Sequence, residues 1–191
     1  MARMTAEQAA KRLGQVFASV ALQLAELNGM DVTMGVQGRE ASQPKKERTA
    51  DGRVEESGTP LVVVAAAHER GIGVPRRSFL QAPIEQARPV LRGQLRRELD
   101  KAIRTGALKW DEKRDRFLTP TVQALGRIGV YMRAVSQTAI RQGIPPELSA
   151  KTIERKGSTV PLIDTGQLRA SLRWQVERHG KVEMSDTRGG P

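Results

Sequence analysis

The chain has 191 residues, no cysteine, a formal net charge of +11 and only 3% aromatic residues. Disulfides, thiolate zinc sites and cysteine nucleophiles are thereby excluded. The length suits one domain with a real core, but Ala, Val, Leu and Ile must supply most of the packing. So thin a core is expected where apolar surface is shared with neighbouring subunits, and a plain helical domain with few aromatics is the alternative.

No apolar run approaches the roughly 20 residues that a membrane helix needs. The opening MARMTAEQAAKRLGQ lacks the compact apolar stretch of a signal peptide, so synthesis in a cytoplasm and no membrane partner are expected. The charge is unevenly spread. Residues 39–58 carry five basic and five acidic side chains, whereas residues 69–105 carry nine against four. The basic excess therefore falls on predicted helix.

In chain order, residues 5–27 predict an amphipathic helix. Thr5 and Gln8 stand at capping-box positions, Leu13, Phe17, Val20, Leu24 and Leu27 recur at helical spacing, and Asn28-Gly29 is the stop. Val32, Met34 and Val36 alternate with polar residues and predict a half-buried strand over 31–37. Residues 38–58 are polar and charged with almost nothing apolar, which predicts a long mobile loop between two strands. Residues 61–67, LVVVAAA, predict a buried strand running into a short helix at 65–70, and Gly71 and Gly73 predict a turn. Residues 78–105 predict a long helix with the apolar stripe Ile84, Ala87, Leu91, Leu95, Leu99 and Ile103, kinked early by Pro89.

Residues 107–118 predict an irregular connector. Thr119-Pro120 then opens a second long helix with Thr as cap and Pro at the first helical position, and Gly126 and Gly129 would allow close approach of another element. Pro145-Pro146 predicts a turn, Ser149 a cap for a short helix at 150–156, and Asp164-Thr165 a cap for one further turn. Leu172, Trp174 and Val176 predict a strand, His179-Gly180 a turn, and Val182 and Met184 a partner strand. Residues 186–191 are expected to fray. The sum is a single α+β domain over 1–191: a small antiparallel sheet packed against two long helices, with an inter-strand loop at 38–58.

Chemistry-bearing patterns are sparse. There is no phosphate-binding glycine loop, nucleophile elbow or HExxH, and no cofactor, metal or catalytic constellation is expected. His68-Glu69 is formally an acid/base pair, against the plainer reading of a strand-end or interface histidine. Asp164 is formally a lone catalytic carboxylate, but its place before Thr-Gly better fits a helix cap or a loop clamp. Arg88, Arg92 and Arg96 lie four apart on one helix face. They suit DNA phosphates or an acidic partner, or form a solvated face.

Two segments carry more. The first is VAAAHERG over 64–71 followed by VPRRSFLQAP over 74–83. The second is LSAKTIERKG over 148–157 followed by PLIDTGQLRASL over 161–172. Together they resemble the signature segments of the head–tail joining and tail completion (neck) proteins of tailed bacteriophages, which are related to minor tail and virion morphogenesis proteins. Ser78 stands where that family usually has Pro, and Arg70 where it often has Phe.

The resemblance implies a non-enzymatic virion subunit at the head–tail junction. It would assemble as a homo-oligomeric ring, usually a hexamer, between the connector and the tail-terminator or tail-tube proteins, with genomic DNA as a transient, nonspecific neighbour in the lumen. It nominates His68, Glu69, Arg77, Phe79, Leu80, Pro83, Asp164, Thr165, Gly166 and Leu168 as structural or interface residues. The loop at 38–58 would order against a neighbour. The alternative is a sequence-nonspecific DNA-binding or packaging accessory protein, supported by the charge and the arginine stripe and opposed by the scarcity of stacking aromatics.

Overall fold

The computed structural model describes residues 24–49, 51–105, 107–112 and 115–186, together with single positions at 8, 11, 18, 21 and 22. Most of the helix predicted over 5–27 lies outside the described residues. Residues 24–27 are helical. Leu27 packs on the core, whereas Leu24 is 57% exposed.

The central sheet has three antiparallel strands in the order β1-β6-β7: β1 (Met30–Val36), β6 (Leu172–Arg178) and β7 (Lys181–Ser185). The alternation legible in β1 and β6 sets the register. Val32, Met34 and Val36 stand opposite Val176, Trp174 and Leu172, so both strands turn their apolar residues to one face. His179 and Gly180 both have positive φ, 48° and 77°, as a two-residue hairpin turn with right-handed strand twist requires.

The two long helices are α3 (Gln81–Thr105) and α4 (Pro120–Gln142). The Thr119 hydroxyl accepts from the Val122 N–H and Pro120 occupies the first turn, as the sequence predicts. Helix α4 lies on the sheet and α3 packs along α4. A β-carbon on Gly126 would fall 2.6 Å from Met184 Sδ, and one on Gly129 2.6 Å from Trp174 Cδ2. These glycines therefore let α4 sit against β6 and β7. The fold is α+β, with small antiparallel sheets packed against helices.

One core cluster joins Val36, Leu61, Ala65, Phe79, Ile140, Leu168 and Leu172; the second joins Leu125, Trp174 and Val176, with Leu95 and the methionines 30, 34 and 184 around it.

Four expectations are corrected. Residues 61–67 are not a strand: α2 (Leu61–Arg70) is helical throughout. Leu61 and Ala65, four apart, are its buried residues, while Val62 and Val63 are exposed. The Ala run and the i,i+4 burial outweigh the β preference of three valines.

Residues 38–58 are not a loop. They form α1 (Arg39–Ser42) and an antiparallel ribbon of β2 (Pro44–Arg48) and β3 (Val54–Pro60). Composition misled here because the ribbon buries little. It is held by backbone pairing and by polar groups from residues 164–167.

The connector predicted over 107–118 is not irregular throughout. β4 (Lys109–Asp111) and β5 (Arg116–Leu118) pair, and Trp110 meets Phe117 edge-on with ring centroids 4.9 Å apart. Leu108, Trp110 and Phe117 remain 61%, 45% and 59% exposed.

Asp186 is not frayed: its carboxylate accepts from the Trp174 N–H at 2.8 Å and pairs with Arg133. Residues 187–191 lie outside the described residues.

Candidate functional site

The two signature segments meet at one corner of the molecule. Helix α2 ends at Gly71, whose φ of 74° and N–H donated to Ala67 O make a left-handed C-cap. Gly73 also has positive φ (68°), so Gly71-Ile72-Gly73 is the predicted turn. The chain doubles back, and the Arg77 N–H donates to the His68 carbonyl at 2.8 Å.

The Glu69 carboxylate then meets the start of α3. It accepts from the Ser78 hydroxyl (2.6 Å) and from the backbone N–H groups of Phe79 (2.9 Å), Leu80 (3.0 Å) and Gln81 (3.0 Å). The Ser78 hydroxyl accepts in turn from the Ala82 N–H. A helix start leaves such N–H groups without partners and carries partial positive charge. Glu69 is thus a cap supplied from another helix, and not half of an acid/base pair with His68. Burial alone raises the Glu69 pKa. The Ser78 hydroxyl and the N–H groups of Gln81, Leu80 and Phe79 together outweigh it, and the carboxyl is held below its usual value.

Arg77 is only 5% exposed. Its guanidinium donates to the carbonyls of Pro146 (3.0 and 2.7 Å) and Glu147 (3.3 Å), which ties the first segment to the second. Phe79 is fully buried between α2, α4 and β6, Leu80 packs against the same cluster, and Pro83 is buried in the first turn of α3.

The second segment begins with Ser149. Its hydroxyl accepts from the Thr152 N–H and caps α5 (Ala150–Lys156), and Gly157 closes that helix in the left-handed region. Helix α6 (Gln167–Ala170) follows, with Gly166 at its N-cap. Asp164 and Thr165 do not cap it, contrary to expectation. They face β2 instead, so that of the two readings of Asp164, helix cap or loop clamp, the clamp is the one observed. Asp164 Oδ2 accepts from the Arg48 N–H, and the Thr165 hydroxyl donates to the Lys46 carbonyl. Gln167 completes the clamp: its amide oxygen accepts from the Lys46 N–H at 2.7 Å and its amide nitrogen donates to the Pro44 carbonyl at 2.9 Å. A side-chain amide used in this way substitutes for a neighbouring strand. Leu168 is buried in the core cluster.

Gln167→Ala should therefore leave the core intact and release the ribbon. Two backbone hydrogen bonds are lost, worth about 1–2 kcal/mol to ribbon docking. Limited trypsin digestion should cut at Lys45, Lys46, Arg48 or Arg53 several-fold faster than in the parent chain. Unchanged cleavage would mean that Asp164 and Thr165 hold the ribbon without it.

Between the two segments lies a pocket of about 500 Å³. Its walls include Leu61, Val64, Val74, Leu148 and Leu162, and its charged lining is Lys45, Lys46, Arg77, Arg155 and Lys156 against Glu147 and Asp164. Of the residues nominated from sequence, His68, Arg77, Asp164, Thr165, Gly166 and Leu168 line this pocket. Phe79 stands behind it in the core, whereas Glu69, Leu80 and Pro83 border shallower depressions around α3. Sequence reasoning missed Lys45, Lys46, Arg155, Lys156 and Gln167. The only available hint for Gln167 was its place inside the DTGQL run.

The pocket is electropositive, and its titratable groups respond accordingly. His68 is half-buried. Burial, then Arg77, Lys45 and Lys156, hold its pKa below the usual value, so it is neutral near pH 7. Lys156 is 8% exposed. Burial lowers its pKa, Asp164 opposes this, and Arg155, Arg77 and Lys45 add to the lowering. The arginines at 88, 92 and 96 are apart from this corner, exposed on α3.

Among the described residues no cluster of three or more His, Asp or Glu is placed to hold a metal ion, and no helix is long and apolar enough to cross a membrane. Comparison of the chain with family models, curated proteins and solved structures finds no significant match.

Proposed function

We propose that the chain is a structural virion protein of a tailed bacteriophage, a neck or tail completion subunit that works by assembly and not by catalysis. The reading rests on one observation: the two segments that resemble the neck-protein signatures have mechanical roles at their distinctive positions. Glu69 caps α3, Arg77 bolts α2 to the 146–147 turn, and Asp164, Thr165 and Gln167 clamp the ribbon. Rigid corners of this kind suit a ring subunit, in which neighbours must close at a fixed rotation. The exposed Trp110 and Phe117 on one short ribbon, with exposed Leu108 just before it, further support contact with neighbouring chains. In this reading the partners are copies of the same chain, in a hexameric ring, and the adjacent connector and tail-terminator or tail-tube proteins.

Cryo-electron microscopy of purified virions tests the proposal. A six-fold ring of this chain at the head–tail junction is expected, and its absence from finished particles would overturn the structural reading.

A second reading, a nonspecific DNA-binding or packaging accessory protein, is favoured by one feature. Arg88, Arg92 and Arg96 are all exposed on one face of α3, and among the described residues none of them has an ion-pair partner. If that face meets DNA, each phosphate contact contributes about 0.9 to the slope of log affinity against log salt. Replacing all three arginines by Ala should then flatten the slope by about 2–3 in fluorescence-anisotropy titrations with duplex DNA. An unchanged slope assigns the stripe to solvent or to a protein partner.

A further inference from the structure

The most unusual feature of the pocket is buried positive charge in excess of the carboxylates that line it: five cations against Glu147 and Asp164. Arg77 and Lys156 are 5% and 8% exposed. Among the described residues their hydrogen-bond partners are all carbonyls, those of Pro146 and Glu147 for Arg77 and that of Val160 for Lys156. Among the described residues neither has a carboxylate in ion-pair contact. Taking a cation out of water costs several kcal/mol unless an anion compensates it. Nearby, Lys45 and Arg155 both turn to Glu47, at 3.0 and 3.7 Å, and the carboxylates of the pocket lining itself are those of Asp164 and Glu147.

Two further atoms in the lining are incomplete. His68 Nδ1 and Asp164 Oδ1 are buried and have no hydrogen-bond partner. A buried polar atom without a partner is uncommon. Asp164 Oδ1 accepts from an N–H, and His68 Nδ1 donates in the tautomer that carries its proton there. A ligand that satisfies both presents a donor and an acceptor, and it must also cover the apolar walls of Leu61, Val64, Leu148 and Leu162.

We infer that the pocket receives a short acidic and apolar peptide segment of a neighbouring protein, its carboxylate taken by Arg77 and Lys156 and a backbone N–H taken by Asp164. A phosphodiester backbone fits poorly. It brings no N–H for Asp164 and has nothing to cover the leucine walls. The inference deepens the reading of this corner as a subunit contact, and rests on that reading only for the source of the peptide. Binding is measured on the isolated chain and location in the virion, so the two fail separately.

The test is a nuclear magnetic resonance titration of the full chain with a blocked Leu-Glu-Leu-Glu peptide, its Leu-Gln-Leu-Gln counterpart and inorganic phosphate, all at equal ionic strength. The acidic peptide is expected to shift the His68 ring signals and to raise the pKa of His68, because a bound carboxylate offsets the surrounding cations. The glutamine peptide should bind at least tenfold more weakly. Lys156→Gln should weaken the acidic peptide at least tenfold. Since Lys156 is buried, the exposed Arg155→Gln serves as the second variant and should weaken it a few-fold with the fold unchanged. Equal response to phosphate and to the acidic peptide would reduce the pocket to a simple anion site and overturn the inference. So would absence of any shift at His68, or a glutamine peptide that binds as well as the acidic one.

Discussion

Replacing Glu69 by Ala should cost about 3 kcal/mol of stability, the loss being concentrated where α2 hands over to α3. Four donors lose one acceptor: the Ser78 hydroxyl and the N–H groups of Phe79, Leu80 and Gln81. Hydrogen bonds to a charged group are worth about 1.5–3 kcal/mol each. The site is half-exposed, so water re-satisfies part of the loss and the four do not add in full. Glu69→Gln keeps one acceptor oxygen but turns an NH₂ toward N–H groups, and should recover less than half.

The same contacts set a pH dependence. The folded-state pKa of Glu69 lies below its ordinary value of 4.5. Its contribution is therefore complete above that value and is lost as pH falls through the depressed folded-state value. Urea denaturation at pH 7 and at successively lower pH should show the parent chain losing stability on acidification, with Glu69→Ala losing less over the same window. Parallel curves would mean that the carboxylate does not cap α3 in solution.

Glu69 also shows what the sequence could and could not reveal. The HExG and RSFL runs were legible as a unit, but the sequence showed no partner for Glu69: pairing with His68 was only formal, and the plainer reading of His68 was a strand-end or interface histidine. The true partners lie nine to twelve residues downstream, across a turn made by Gly71 and Gly73. Strands β1 and β6 were legible because alternation in sequence becomes alternation of faces. Helix α4 was legible from its cap, its N-terminal Pro and its apolar spacing. The β2–β3 ribbon was not, because its stability is borrowed: Lys46 is held by Gln167, 121 residues away. Nor was the pocket, whose cations come from β2, the entry to α3 and the end of α5, and acquire meaning only when the chain brings them together. Helix α2 was misread because three valines favour a strand locally, while the burial of Leu61 and Ala65 on one helical face is a tertiary effect.

Gly126 and Gly129 are the opposite case, in which a sequence expectation has a specific physical consequence. At Gly129 a β-carbon would stand 2.6 Å from Trp174 Cδ2 and Cε3, closer than real β-carbons approach. Trp174 is 3% exposed and belongs to the second core cluster, so the indole has little room to retreat. Gly129→Val should then destabilise by about 3 kcal/mol, at the upper end for overpacking, against a small gain in helix propensity. Trp174→Ala alone should cost about 4 kcal/mol through lost burial and the cavity left behind. In the Trp174→Ala background the valine has space, and adding it should cost less than about 1 kcal/mol. The double-mutant cycle, read from urea midpoints of the four chains, should thus show a coupling of about 2–3 kcal/mol between residues 129 and 174. Additive losses would mean that α4 moves away from β6 instead of pressing on the indole, and that the spacing between helix and sheet is set elsewhere. A coupled pair would mean that the spacing of helix and sheet is fixed by contact between α4 and the indole of β6, with no slack for the helix to shift on the sheet.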